Sequence, residues 1–177
     1  MSYLRREFIL VLFVMLVGCF PALAQDAKTS TDIKNKYQNI EIVSFEIKEG
    51  VKFPPEARDV VMAQISEELT QIKRFRKVSK VGEPITEAEG PTVRLVGSVI
   101  EYSPGSRAKR YLIGFGAGAT KVKAHIQLVD IATGNVVFER DVDGKVWIGM
   151  FGGDSSGATR GLAKEVAKVT KKQLFKS

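Results

Sequence analysis

The sequence predicts an α/β fold of the α+β kind: a two-layer sandwich with one mixed, mostly antiparallel sheet and two helices on one face, in the order β-α-β-β-β-β-α. Three observations predict it. Segments with the two-residue alternation of strands outnumber those with helical spacing. Only two stretches carry the helical spacing, one early and one closing the chain. The later strand candidates are joined by short Gly-containing turns, which links neighbours antiparallel.

The elements follow in order. Ile40–Ile47 is rich in β-branched and aromatic residues and reads as a strand, ended by Glu49-Gly50. Pro54-Pro55 open a helix, where a proline in the first turn lacks only an N–H that would go unpaired anyway. Its apolar face is read as Ala57, Val60, Val61, Ile65, Leu69 and Ile72. Arg74–Val81 suggests a short strand at a sheet margin, its cations in water, followed by an acidic loop, Gly82–Pro91. Thr92–Tyr102 is nearly continuous in apolar residues and is placed centrally. From Lys121, Val122, Ala124, Ile126 and Leu128 alternate with Lys121, Lys123, His125 and Gln127, the pattern of a half-buried strand. Asp130–Asn135 is a hairpin loop with Gly134 at a left-handed position, and Val136–Val142 returns as a strand. Asp143-Gly144 then makes either another tight hairpin into Lys145–Met150 or part of one long bulged strand. Ala158–Phe175 closes the chain as a helix that buries Leu162, Val166, Val169 and Leu174.

The N-terminus reads as an address. Arg5-Arg6 precede an apolar run, Phe8–Phe20, of 13 residues. As a helix it spans about 20 Å, too short for a hydrocarbon core of about 30 Å. Residues 1–24 are therefore expected to be a signal peptide, cut after Ala22-Leu23-Ala24. Leu16-Val17-Gly18-Cys19 offers a second cut, before Cys19, whose thiol would take a lipid. Cys19 is the single cysteine, so no internal disulfide forms. Residues 25–38 are expected to be a flexible leader, and residues 39–177 one domain.

Of 177 residues, 44% are apolar and 27% charged, ordinary for a globular domain. The formal charge is +7; Arg5, Arg6 and Glu7 account for +1 of it, leaving +6 beyond residue 24. That balance favours anionic membrane surfaces or glycans as partners, and serves equally as a solvated basic surface. Nucleic acid is not expected, because the basic residues lack interleaved aromatics apart from Tyr111.

The stretch Leu95–Gly118 (LVGSVIEYSPGSRAKRYLIGFGAG), with Val129–Val137 (VDIATGNVV) and Phe151–Asp154 (FGGD), resembles a bacterial envelope family catalogued as a domain of unknown function. The resemblance covers about residues 40–175. More distantly, the plan is similar to the periplasmic domain of the CsgG-like curli-secretion lipoproteins. It implies an envelope protein of unassigned activity and supplies no catalytic residue. The hairpins that build a pore in that relative have no counterpart of pore-forming length here.

Candidate chemistry is sparse. Gly153-Asp-Ser-Ser-Gly157 has the spelling of a nucleophile elbow, which makes a serine hydrolase using Ser155 the catalytic alternative. No histidine follows Ser155; His125, the only one, lies upstream with Asp130 and Asp141 between them. The same residues suit a helix N-terminus, where Asp154, Ser155 or Ser156 accepts free N–H bonds. Gly114–Gly118 is glycine-rich but is followed by a strand, so it does not offer the helix N-terminus of a phosphate loop. No cofactor, no metal site and no enzymatic activity are expected. The expected role is binding or assembly in the periplasm or at the outer membrane, with an envelope protein or a second copy as partner. Its contact residues are expected to be Arg107, Lys109, Arg110 and Phe115. Should Ser155 be a nucleophile, Ser155→Ala will abolish an esterase or protease activity; the expected result is no such activity in either protein.

Overall fold

The structure, a computed structural model, describes residues 33–86, 89–104, 120–145 and 156–176. The signal peptide, Cys19, the leader up to residue 32, the 105–119 segment with Arg107, Lys109, Arg110 and Phe115, residues 146–150, and Ser155 lie outside the described residues.

The elements are β1 (Asn39–Ile42), β2 (Glu46–Ile47), α1 (Pro55–Gln71), β3 (Lys77–Val78), β4 (Thr92–Ser103), β5 (Lys121–Asp130), β6 (Val136–Lys145) and α2 (Ser156–Leu174). They form one six-stranded sheet ordered β3-β1-β4-β5-β6, with β2 beside β4. β1 is parallel to β3 and β4, and β2 is parallel to β4, while β4-β5 and β5-β6 are antiparallel. Both helices pack on one face, α2 against β5 and β6 and alongside α1. The predicted two-layer α+β sandwich is what forms.

Alternation decides which face is dry. Val122, Ala124, Ile126 and Leu128 of β5 are buried, with Val93, Leu95 and Val99 of β4 and Ile40 and Ile42 of β1. Val61, Met62, Ile65 and Leu69 of α1 and Leu162, Val166, Val169 and Leu174 of α2 close the core over them. Val60 is a correction to the predicted apolar face: it is 45% exposed, and Met62 is buried instead. Residues 61, 65 and 69 define the buried line, and at about 100° per residue only one flank of that line meets the sheet.

The predicted strand Ile40–Ile47 is two strands. The chain leaves β1 after Ile42, buries Phe45 and re-pairs with β4 at Glu46. Gly97 of β4 makes room for this: a Cβ there would stand 2.8 Å from Phe45 Cζ and 2.9 Å from the His125 carbonyl oxygen. At the other open choice, Asp143-Gly144 makes no turn. Both residues pair with β5, Asp143 opposite Lys123 and Gly144 opposite Val122. Gly144 is a close-approach residue, since a Cβ would lie 2.6 Å from the Ala158 carbonyl oxygen and 2.7 Å from Leu162 Cβ.

Residues 33–38, assigned to the leader from sequence, join the packed domain. Ile33 and Tyr37 are buried, and Asn35 N–H donates to the Leu174 carbonyl at 2.6 Å. Asp130 holds the segment in place. Its Oδ2 accepts from Lys36 Nζ at 2.6 Å and from the Tyr37 hydroxyl at 2.9 Å. Its Oδ1 accepts from the N–H of Ala132 at 3.0 Å and of Thr133 at 3.3 Å, shaping the hairpin loop in which Gly134 has φ +70°. Burial alone would raise the Asp130 pKa; the Lys36 and Tyr37 bonds outweigh it and hold the carboxyl below the usual value. Burial, then the bond to Asp130, pushes the Tyr37 hydroxyl up.

Two predictions follow from this packing. Gly97→Ala and Gly144→Ala will each lower stability by about 1–3 kcal/mol in urea unfolding, because backbone must move to admit the methyl. Asp130→Asn will cost about 2 kcal/mol at neutral pH, through lost charge-assisted bonds. Because the folded pKa is depressed, the Asp130 contribution is present above its unfolded pKa of about 3.9 and lost as pH falls through the folded value. The gap between Asp130→Asn and the unsubstituted protein in thermal melts will therefore narrow below about pH 4.

Candidate binding surface

The face of the sheet away from the helices is covered only in part. Over β1 the loop after β3 folds back: Glu41, 7% exposed, accepts from Arg94 Nε at 2.9 Å and from the Ile85 N–H at 3.3 Å. Lys77 Nζ meets Glu89 Oε2 at 2.5 Å on the same loop. β4, β5 and β6 beyond it have no covering layer among the described residues, and the outward side chains of β5 fall into rows with those of its neighbours.

The central row runs Glu46, Ser98, His125, Asp141, set by the pairings Glu46↔Ser98, Ser98↔His125 and His125↔Asp141. His125 Nδ1 lies 2.8 Å from Asp141 Oδ1, and Nε2 lies 3.9 Å from Glu139 Oε2. Lys123 Nζ reaches Asp141 Oδ2 at 2.9 Å, and Gln127 Nε2 donates to Glu139 Oε2 at 3.1 Å. The Lys123 bond, then the His125 bond, draws the Asp141 pKa down; Asp141 in return raises Lys123. These groups are in water, so the pairs add little to stability and act mainly to order the face.

A depression of about 470 Å³ is lined by Glu46, Lys48, Ser98, Ile100, His125 and Asp141. A second, of about 230 Å³, lies along Glu101, Lys121, Lys123 and Asp143. Small-molecule pockets are mostly apolar and enclosed. These are open, and Ile100 is the one large apolar side chain lining the first. Among the described residues no group of three or more His, Cys, Asp or Glu is placed to hold a metal ion. No described helix is long and apolar enough to cross a membrane.

The expected contact residues Arg107, Lys109, Arg110 and Phe115 belong to the connection between Pro104 and Thr120, outside the described residues. Its two ends are placed: Ser103 pairs with Lys121, and Lys121 with Lys145. Ser103, Lys121 and Lys145 therefore stand side by side, next to the second depression. The hydrolase alternative gains no partner from the described residues. His125 faces the open side, whereas the first turn of α2, which follows Ser155, packs on the helix side against Gly144. The sequence places His125 on the polar face of its strand, between Lys123 and Gln127. The Glu46–Ser98–His125–Asp141 row was missed, although the five-residue loop after Asp130 already places His125 near Asp141.

Comparison with one solved structure supports the fold. The PelC dodecamer from Paraburkholderia phytofirmans superposes with a TM-score of 0.53 at 15% identity, over 80% of this chain and 91% of that one. Protein XCC0632 from Xanthomonas campestris gives 0.46 at 10% identity over 78% and 82%. Lipoprotein GNA1162 from Neisseria meningitidis gives 0.44 at 14% identity over 75% and 98%. No curated protein matches the chain. A family model matches residues 31–166, which span β1 through most of α2, and on that match the chain belongs to the family described as "Domain of unknown function (DUF4410)".

Proposed function

We propose that the protein is a non-enzymatic module of the bacterial cell envelope that assembles with further copies of itself through the open face of its sheet. The observation that carries this is the face itself. Three strands of ten to twelve residues present outward rows with no covering layer among the described residues. Acids and bases interleave on it: Lys123 and His125 of β5 lie opposite Asp143 and Asp141 of β6, and Glu101 of β4 lies opposite Lys123. A face that carries both signs in alternation can meet a second copy of itself with opposite charges in register. A protein sharing the fold, PelC of Paraburkholderia phytofirmans, is a dodecamer, which supports assembly as a use of this architecture.

An envelope location rests on the N-terminal reading: Arg5-Arg6, the Phe8–Phe20 run, and a cut after Ala24 or before Cys19. The distant likeness to CsgG-like lipoproteins agrees with it. Arg107, Lys109, Arg110 and Phe115 stay within the proposed contact surface, because Ser103 and Lys121, which bracket them in sequence, pair at the end of the open face.

Sedimentation velocity on the protein recovered from expressing cells tests the reading. The expected result is a species heavier than one chain. Ser98→Arg, which fills the 470 Å³ depression, will shift it toward the monomer, as will Arg110→Glu combined with Phe115→Ser. A monomer throughout the micromolar range, or an oligomer unaffected by both variants, would reject assembly through this face.

A further inference from the structure

A cluster of cations is gathered at one pole of the domain. Three segments distant in sequence meet there: 33–38, 72–78 and 171–176. Asn35 N–H bonds the Leu174 carbonyl, Lys34 Nζ bonds the carbonyls of Lys172 and Phe175, and Arg76 N–H donates to the Gln38 carbonyl at 2.7 Å. The Phe75 and Phe175 rings meet edge to face at 5.0 Å, and the Arg74 guanidinium lies 5.3 Å from the Phe175 ring centre. None of the three segments contains an Asp or Glu.

Some of the cations there have partners. Lys36 is neutralised by Asp130 and Lys77 by Glu89, while Lys34 caps the end of α2. Lys73, Arg74, Arg76, Lys171, Lys172 and Lys176 are exposed and have no carboxylate partner among the described residues. Six unpaired cations on one pole repel one another unless something anionic meets them. The open sheet face, by contrast, interleaves both signs.

The position of the chain entry says what that is. Ile33, the first described residue, lies within this pole, and the apolar run Phe8–Phe20 precedes it in sequence. The 14 steps from Cys19 to Ile33 reach at most about 50 Å even when fully extended. Whatever the apolar segment or a lipid on Cys19 is held in, the tether from it meets the described domain at this pole.

We infer that the pole formed by the end of α1, the start of β3 and the end of α2 rests on an anionic phospholipid surface. It supplies the second, electrostatic signal beside an N-terminal hydrophobic one. A single acyl chain gives only marginal membrane binding, and a basic patch beside it makes the attachment stable. Nucleic acid suits the pole poorly, since Phe75 and Phe175 pack on each other and leave no ring for a base to stack on. The inference does not depend on assembly through the sheet face, which is measured without lipid.

Vesicle co-sedimentation tests it, with the protein as recovered from expressing cells, on phosphatidylcholine alone and on phosphatidylcholine containing about 30% phosphatidylglycerol. The anionic vesicles are expected to bind at least about tenfold more tightly at low salt, and the preference to fade as salt is raised. The fourfold variant Lys73→Gln, Arg76→Gln, Lys171→Gln, Lys172→Gln will lose the preference, since each cation contributes roughly fivefold. The charge-keeping pair Lys171→Arg, Lys172→Arg will retain it, and so will Lys48→Gln, Lys121→Gln on the sheet face. Equal binding to both vesicles, or an unchanged preference in the fourfold variant, overturns the inference. So does binding to soluble dextran sulfate without binding to anionic vesicles.

Discussion

The seating of α2 on Gly144 and the inward row of β5 is the contact from which the rest of the architecture follows. With no side chain at Gly144, the helix backbone comes down onto the last turns of β6. Leu162, Val166 and Val169 then reach the row of Val122, Ala124, Ile126 and Leu128. Burial of these apolar side chains is the main favourable term in folding. It also commits the polarity of the sheet: a strand with one face in the core must turn its alternate residues to the other side. His125 and Lys123 face water because Ala124 and Ile126 do not.

Asp130 ties the ends of the chain to that core. It ends β5, shapes the loop into β6 and receives Lys36 and Tyr37 from the N-terminal turn. The Asn35 bond to Leu174 adds the C-terminal helix to the same corner. The domain therefore has two unlike poles. One holds the chain entry, the ends of both helices and a surplus of cations. At the other, Ser103, Lys121 and Lys145 stand at the ends of neighbouring strands. Charge is segregated by topology here, since the basic pole is assembled from segments distant in sequence.

Much of the fold was legible because it depends on local patterns. The alternation in β5, the Gly134 turn and the spacing of Leu162, Val166 and Val169 each reflect one element against one layer. Misreadings arose where a long-range contact overrode the pattern. Val60 fits an apolar helical face by spacing, but the sheet lies on the flank that takes Met62. Ile40–Ile47 has the composition of one strand, but Phe45 turns into the core over Gly97 and splits it. Residues 33–38 are polar enough to read as a leader, yet Ile33 and Tyr37 pack inward and Asp130, nearly a hundred residues on, satisfies Lys36 and Tyr37.

By itself the sequence determined the class of fold, the single-layer sheet with helices on one side, and the scarcity of groups able to activate a nucleophile. These rest on residue type and short-range period, which survive whatever the chain does elsewhere. Only the tertiary structure decided that His125 shares a row with Ser98 and Glu46, because the β4–β5 register passes through a bulge between Val99 and Glu101 that no local pattern marks. It alone brought the cations that follow α1 and those at the end of α2 to one pole, since their proximity depends on how two helices end against the N-terminal turn rather than on any spacing along the chain.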